Sequence, residues 1–297
     1  MQQKAKKAVH ITLCVMCLTI GLILYINIAN HTAIPSNNED SPLEPMESTN
    51  PSSPVYLSDD SYDYEYYPDT TTNYYYSCDG YSYDYLLVWL YTYDYADDFD
   101  LYLYTDAAYS SGVATSMSGS QLDWVVYRPA SSGYMYPKSY TYSGYGTAYI
   151  ESETGYDLTF GSQYSFALSS SESGEIFEES LSTSSTYTVY LEVPSGCDFN
   201  VYVFRTASGS SSKLDLHSSV STTTGYDERI VFTPTSTDTY AIVVTRISGS
   251  GTGYLTVYDY IYTPTRIPTF ELFPALLALA TIIFLYLTAF KKKNLFL

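Results

Sequence analysis

Cysteine, histidine and basic residues are scarce in this chain, and each shortage excludes a class of function. Its 297 residues include 4 cysteines, 3 histidines and 13 lysines and arginines, against 32 acidic residues. Cys14 and Cys17 lie in an apolar N-terminal run, so Cys78 and Cys197 are the only thiols outside it. A dense disulfide framework or a thiol-rich zinc site cannot be built from so few ligands.

Positive charge is concentrated at the two ends of the chain. Residues 31–266 contain 31 acidic side chains and 7 basic ones. Because no basic stripe is present to neutralise phosphates, binding to nucleic acid is excluded. The same acidity argues against docking onto anionic lipid surfaces and favours the solubility of an exposed domain.

Catalytic motifs are also missing. The sequence contains no Gly-x-Ser-x-Gly nucleophile motif and no His-Glu-x-x-His zinc motif. His217 is the only histidine far from the N-terminus, and it lies in a loop rich in serine and threonine. We therefore expect a protein that is not an enzyme.

Two long apolar runs, by contrast, are present, one near each end. Ala8 to Ile28 follows a lysine-rich start, and Leu272 to Phe290 is followed at once by three lysines. The second run would form roughly 28 Å of helix, enough to cross a hydrocarbon core. The positive-inside rule then predicts a membrane span at each end, with both termini cytoplasmic unless the first run is cleaved as a signal.

Composition divides the chain into seven predicted segments. Prolines scattered among polar residues, without periodicity, indicate a disordered stalk before the first strands. In order, the segments are a signal or transmembrane segment (1–30), the stalk (31–61), a first β-domain (62–153), a second β-domain (154–262), a short linker (263–271), a transmembrane helix (272–290) and a basic tail (291–297).

A seven-residue phrase occurs twice, 100 positions apart. Asp-Phe-Asp-Leu-Tyr-Leu-Tyr at 98–104 is echoed by Asp-Phe-Asn-Val-Tyr-Val-Phe at 198–204. Each copy is followed by a strand that runs into a Pro-led turn, at 124–134 and 229–240. Each closes with a small-residue turn and a last strand, at 146–150 and 251–255. Four matching features occur in the same order in both copies, and this indicates a duplicated domain.

The interior of each copy alternates between aromatic and polar residues. The chain contains 37 tyrosines, and many recur at every second position, as at Tyr81, Tyr83 and Tyr85. Period two with aromatic and β-branched residues is typical of half-buried strands. No amphipathic helix is recognisable between residues 62 and 262. The sequence therefore predicts an all-β fold: two tandem antiparallel β-sandwiches, jelly-roll-like, flanked by the two transmembrane helices.

The order of these landmarks resembles that of the pre-peptidase C-terminal domain of bacteria and archaea, a β-sandwich related to the collagen-binding domains of collagenases. The likeness lies in the Asp-x-Asp-Leu-Tyr-Leu strand at 98–103 and its echo at 198–203. It covers residues 74–150 and about 170–259. The resemblance implies two non-catalytic modules of a kind that usually follows a secreted peptidase.

Two candidate sites follow. Acidic residues crowd the first phrase, and converging carboxylates suit calcium, which the resembling domains also bind near such turns. The candidate calcium ligands are Asp97, Asp98, Asp100 and Asp106. Cys78 and Cys197 lie in an oxidising setting and could form a disulfide between the two domains.

These observations favour a membrane-anchored cell-surface protein that binds or adheres through its two sandwiches. Its tyrosine-rich faces would meet a surface carbohydrate or a protein, with residues 31–271 outside the cytoplasm. Two alternatives stay open: a structural subunit of an envelope or coat, and an accessory module of a secreted or surface peptidase. The sequence leaves the oligomeric state open.

Overall fold

The computed structural model of the chain describes residues 49–59, 61–68, 72–94, 96–220 and 223–264. The predicted membrane spans and the basic tail lie outside these residues, as does most of the predicted stalk. Every regular element in the described part is a β-strand. A search of the same residues finds no helix with the length and apolar character that a membrane span needs.

Each half of the described chain contributes nine strands. The first nine are β1 (Val55–Tyr56), β2 (Asp63–Tyr67), β3 (Asn73–Gly80), β4 (Leu86–Thr92), β5 (Asp98–Tyr104), β6 (Gly112–Ser116), β7 (Leu122–Tyr127), β8 (Gly133–Ser143) and β9 (Gly146–Thr154). The next nine are β10 (Tyr156–Asp157), β11 (Gln163–Leu168), β12 (Gly174–Leu181), β13 (Tyr187–Glu192), β14 (Asp198–Arg205), β15 (Leu214–Ser219), β16 (Glu228–Phe232), β17 (Asp238–Ser248) and β18 (Gly251–Tyr258).

The two halves have the same topology. In the first half, a five-stranded sheet of order β1-β3-β8-β5-β6 faces a four-stranded sheet of order β2-β9-β4-β7. In the second half, β10-β12-β17-β14-β15 faces β11-β18-β13-β16, which is the same order shifted by nine strands. The repeated phrase forms β5 and β14, and both strands have a register shift after their first residue. The duplication that the sequence indicated is therefore present strand by strand.

Nearly all neighbouring strands are antiparallel, and each sandwich opens with one short parallel pair. β1 pairs with β3, and β10 pairs with β12 in the same way. β1 corrects the predicted boundary, because it lies inside the segment expected to be a disordered stalk. Val55 and Leu57 are buried in the first core, so the sandwich begins at Val55 rather than at residue 62. A strand of two residues is too short to show periodicity.

Each sandwich has its own apolar core, made by the inward positions of both sheets. In β3 the buried residues are Tyr74, Tyr76, Cys78 and Gly80, whereas the residues between them are partly exposed. Leu101 and Leu103 of β5 are fully buried in the first core, as Val201 and Val203 of β14 are in the second. Alternate tyrosines thus serve as core residues, as the period of two predicts.

The two sandwiches are joined by a third apolar cluster. The outer face of the first four-stranded sheet packs on the outer face of the second five-stranded sheet. The buried residues of this junction are Tyr85, Leu87, Trp89, Tyr91 and Val126 from the first sandwich, and Ile176, Phe204, Ala241 and Val243 from the second. β4 is consequently buried at every position, with one face in the core and the other in the junction.

Polar contacts fix the geometry of the junction. Trp89 Nε1 donates to the carboxylate of Glu153 at 3.1 Å. The Tyr85 hydroxyl donates to the carbonyl of Thr239 at 3.0 Å and accepts the Thr206 N–H at 2.9 Å. Arg128 reaches across to Asp238 at 3.0 Å. The apolar cluster and these contacts across it pack the two sandwiches together.

The structure corrects the expected disulfide. Cys78 lies on β3 in the first core, and Cys197 lies just before β14 in the second core. Both thiols are buried and free. Burial raises the pKa of the Cys78 thiol to about 12, so it is neutral and unreactive at physiological pH. Each sulfur fills apolar space in a separate sandwich.

Candidate ligand-binding surface

The outer face of the five-stranded sheet is buried in one repeat and exposed in the other. In the second sandwich it carries Ile176, Phe204, Ala241 and Val243 and packs on the first sandwich. Strand register aligns these four positions with others in the first sandwich, where the face is not covered. The equivalent residues are Tyr75, Tyr104, Tyr136 and Lys138.

These residues belong to a surface that we call the tyrosine face. It is defined as Tyr75, Tyr102, Tyr104, Tyr109, Tyr136 and Lys138. All six side chains are partly exposed. Lys138 Nζ lies 5.4 Å from the centre of the Tyr102 ring, a cation–π distance. Where the second repeat has apolar groups that exclude water, the first has rings with hydroxyls.

Tyr109 completes the face from a loop rather than from the sheet. Its ring meets Tyr75 at 4.7 Å, Tyr104 at 5.5 Å and Tyr136 at 5.8 Å between centroids, all edge-on. Its hydroxyl donates to the Tyr76 carbonyl at 2.9 Å. Its φ of 53° lies in the left-handed region, which a tyrosine rarely adopts. Strained backbone of this kind is common where a surface is pre-organised.

Asp106 holds that loop. Its carboxylate accepts from the backbone N–H groups of Ala108 at 3.0 Å, Ser110 at 3.2 Å and Ser111 at 2.6 Å. The Ser110 hydroxyl donates to it as well. Burial acts to raise the pKa of Asp106, but the hydrogen bonds from Ser111 and Ser110 together outweigh it and lower that pKa to about 2. Asp106 is therefore a structural anion that positions Tyr109.

The hydroxyls of Tyr102, Tyr104 and Tyr109 remain protonated at neutral pH. Burial raises the pKa of Tyr104 and Tyr109, and burial together with Asp100 raises that of Tyr102 to about 12. Each can act as a hydrogen-bond donor and as an acceptor. A cleft of about 380 Å³ borders the face, lined by Pro129, Tyr134 and Tyr136 among others.

The four acids expected to bind calcium are not brought together. Asp97, Asp98 and Asp100 lie at the start of β5, whereas Asp106 follows its end, about 20 Å away at the usual rise of a strand. Asp97 accepts the N–H of Tyr145 at 3.1 Å and so holds the β8–β9 turn. No group of three or more histidine, cysteine or acidic side chains in the described residues is arranged to hold a metal ion.

A buried polar cluster lies near the starts of β5 and β7, and the second sandwich has an equivalent cluster. Asp123, at the start of β7, is 1% exposed, and burial raises its pKa, with Asp100 adding a smaller effect. Strand register aligns Asp123 with Glu228 and Asp100 with Asn200. The Ser118 hydroxyl donates to Asp123 and the Ser219 hydroxyl to Glu228. The cluster belongs to the fold of each repeat.

His217 is held by its neighbours. Its ring packs on Phe232, with centroids 4.5 Å apart, and its Nε2 lies 3.3 Å from Asp215. Asp215 also accepts from the hydroxyl of Tyr240 at 2.7 Å. These contacts fasten β15 to the second sandwich. The histidine that the sequence singled out thus has a structural role.

Comparison with known proteins finds only distant similarity to solved structures. No protein-family model matches the chain. No curated protein matches it. Among solved structures it is similar to the pre-peptidase C-terminal domain of a collagenase from Bacillus anthracis, with 13% identity over 34% of this chain and 95% of that domain and a TM-score of 0.30. It is also similar to a protein from Eubacterium rectale described as secreted, with 14% identity over 73% and 83% of the two chains and a TM-score of 0.26.

The fold assignment rests on the strand order of the four sheets. The alignment of the two seven-residue phrases already pairs Tyr104 with Phe204. It does not show in which copy this sheet face is covered.

Proposed function

We propose that this chain is an extracytoplasmic, membrane-anchored protein without catalytic activity, and that it binds neutral carbohydrate through its tyrosine face. The supporting observation is that the same sheet face carries different types of residue in the two repeats. Apolar residues seal this face in the second sandwich, whereas hydroxyl-bearing rings line it in the first.

The chemistry of the tyrosine face suits a sugar. Aromatic rings offer flat apolar surface, and protonated hydroxyls supply hydrogen bonds at the rim. Tyrosine gives a large contact area at little cost in side-chain entropy. Lys138 is the only cation of the face, and the chain carries a net charge of −19, so an acidic ligand is disfavoured.

Glycan binding is tested with purified full-length chain on an array of neutral oligosaccharides of glucose, mannose, galactose and N-acetylglucosamine. Tyr136→Ser should weaken binding about tenfold or more, as truncation of an aromatic anchor does at other interfaces. Tyr254→Ser is the matched control, because Tyr254 is 39% exposed on the four-stranded sheet of the second sandwich. Equal losses in the two variants, or no glycan bound, would overturn the assignment.

Two further measurements on the same chain, of its assembly state and of proteins that co-purify with it, distinguish the other functions. Ordered arrays or stable oligomers of the full chain, lost in Tyr136→Ser, would indicate an envelope subunit. Co-purification with a peptidase would indicate an accessory module. Either result in the absence of glycan binding replaces the carbohydrate proposal.

Membrane anchoring is supported by the two lysine-flanked apolar runs. The chain should stay in the membrane pellet after alkaline carbonate extraction. In intact cells, protease added outside should remove the two sandwiches and leave a C-terminal tag protected. Release by carbonate, or loss of the tag, would contradict the proposed topology.

A further inference from the structure

A second cleft lies at the junction, away from the tyrosine face. Its volume is about 300 Å³, at the lower end of the range for small-molecule sites. Tyr91 and Trp124 of the first sandwich and Tyr202 and Arg246 of the second line it. The rings of Trp124 and Tyr202 are 5.2 Å apart between centroids. Aromatic walls at the meeting of two domains are typical of ligand sites.

Arg246 supplies the cleft with an uncompensated positive charge. The residue is 8% exposed, and its Nη1 atom is buried without a hydrogen-bond partner. Its Nε donates to the carbonyl of Gly249, and its guanidinium carbon lies 5.1 Å from the centre of the Tyr91 ring. In the described part of the chain, no carboxylate lies within 4.0 Å of its nitrogens.

Other arginines near the junction are paired. Arg128 lies 3.0 Å and Arg205 3.9 Å from the carboxylate of Asp238. In a chain with 32 acidic residues, a buried arginine without an acid is unusual, because burial of an unpaired charge is strongly unfavourable.

The fold of the sandwich does not require this arginine. Register pairs Phe199 with Arg246 and, in the first repeat, Phe99 with Thr141. The first sandwich therefore closes around a threonine at the equivalent position. Lys213 adds a second positive charge beside the cleft, with its Nζ 3.3 Å from the centre of the Trp124 ring.

The geometry points to a binding site for a small organic carboxylate with a flat apolar body. The guanidinium of Arg246 would bind the carboxylate through two parallel hydrogen bonds, which would give the Nη1 atom the acceptor that it lacks. The rings of Trp124 and Tyr202 would hold the apolar body. This site is independent of carbohydrate binding, because none of its residues belongs to the tyrosine face.

The test uses the full-length chain and four probes: benzoate, its uncharged analogue benzamide, acetate and inorganic phosphate. The chain has two tryptophans, and Trp89 is fully buried, so a change in fluorescence on titration reports Trp124. Benzoate should bind saturably, at least tenfold tighter than the other three. Arg246→Gln should weaken benzoate binding at least tenfold, whereas Arg229→Gln, on an exposed arginine, should leave it unchanged.

A second readout guards against misfolding of Arg246→Gln. Benzoate should raise the melting temperature of the wild-type chain and of Arg229→Gln, as a ligand of the folded state does. Tyr202→Leu, which removes the ring that packs on Trp124, should weaken benzoate binding while the far-ultraviolet circular dichroism stays unchanged. Equal binding of benzoate and benzamide, phosphate binding as tight as benzoate, or full binding by Arg246→Gln would each overturn the proposal.

Discussion

At the scale of single residues, tyrosine plays two roles that its position in the strand decides. Tyr76 and Tyr85 are almost fully buried, and the hydroxyl of Tyr85 finds partners across the junction. Tyr75 and Tyr104 are partly exposed and face outward. Alternation along the strand predicts which tyrosines lie inside. It does not predict whether an outward tyrosine meets solvent or a second sheet.

Acidic residues were harder to interpret from the sequence. Asp97 and Asp106 are near each other in the chain, and their types suit calcium, but each accepts backbone N–H groups of a different turn. Strand length and turn geometry decide which carboxylate oxygens come together in space. The spacing of the acidic residues along the sequence does not. The buried Asp123 was missed, because one acid at a strand start carries no signal of its own.

Two buried glutamates at the junction predict that stability falls as pH rises. Burial raises the pKa of Glu178 from 4.5 to about 7, and burial with Glu175 and Glu151 nearby raises that of Glu153 well above its usual range. The folded state holds these protons more tightly than the unfolded state. Stability is therefore full below about pH 4.5 and is lost as pH rises through about 7.

Thermal melts between pH 4.5 and 8 measure this effect. Glu178→Gln keeps an acceptor for the N–H of Tyr85 but does not titrate, so it should be more stable than wild type at pH 8 by up to about 3 kcal/mol. Its advantage should vanish near pH 4.5. Asp259→Asn, on an exposed acid, should follow the wild-type curve. A wild-type melting temperature that rises from pH 5 to pH 8 would refute the assignment.

At the scale of elements, equivalent strands show how each repeat is adapted to its place. β4 reads Leu-Leu-Val-Trp-Leu-Tyr-Thr and is buried on both faces. Its counterpart β13 has Thr188 and Tyr190 on the outer face, where Tyr262 packs on Tyr190 and the Tyr260 carbonyl accepts from Thr188. A continuous apolar run indicates burial on both faces. The apolar run of β4 therefore predicts burial on both faces, but it does not predict which sheet covers the outer face.

The segment before residue 62 gives a test of the corrected boundary. Leu57 is 2% exposed, and its N–H donates to the Ser77 carbonyl at 2.8 Å. Leu57→Ala should lower the free energy of unfolding by about 2–5 kcal/mol. Ser58→Ala, next to it and exposed, should change it by less than about 0.5 kcal/mol. Chemical denaturation measures both, and an unchanged Leu57→Ala would mean that the stalk extends to residue 61.

At the scale of the whole molecule, the junction makes the two sandwiches one cooperative unit. Trp89 is fully buried there, and Trp89→Ala should cost about 3–5 kcal/mol. Calorimetry should show one transition for wild type and two for Trp89→Ala. Val189→Ala, in the second core, is the control and should lower the melting temperature without splitting the transition. One transition in both variants would mean that the junction does not couple the sandwiches.

Duplication, the all-β class and the outline of both sandwiches could be predicted, because periodicity and repeated landmarks are local properties of the sequence. The junction could not, since it depends on which of four outer sheet faces meet. Tyr104 and Phe204 occupy equivalent positions and differ by a single hydroxyl, yet one is exposed and the other buried. The cleft at Arg246 follows from that same packing.

We infer that one sheet face seals the junction in the second repeat and binds ligand in the first. Placing the second repeat's residues in the first tests it most directly: Tyr75→Ile, Tyr104→Phe and Tyr136→Ala in one chain. Calorimetric titration with the tightest glycan from the array should then show at least tenfold weaker binding, and sedimentation should show self-association through the newly apolar face. Unchanged glycan affinity in a folded, monomeric variant would contradict the account.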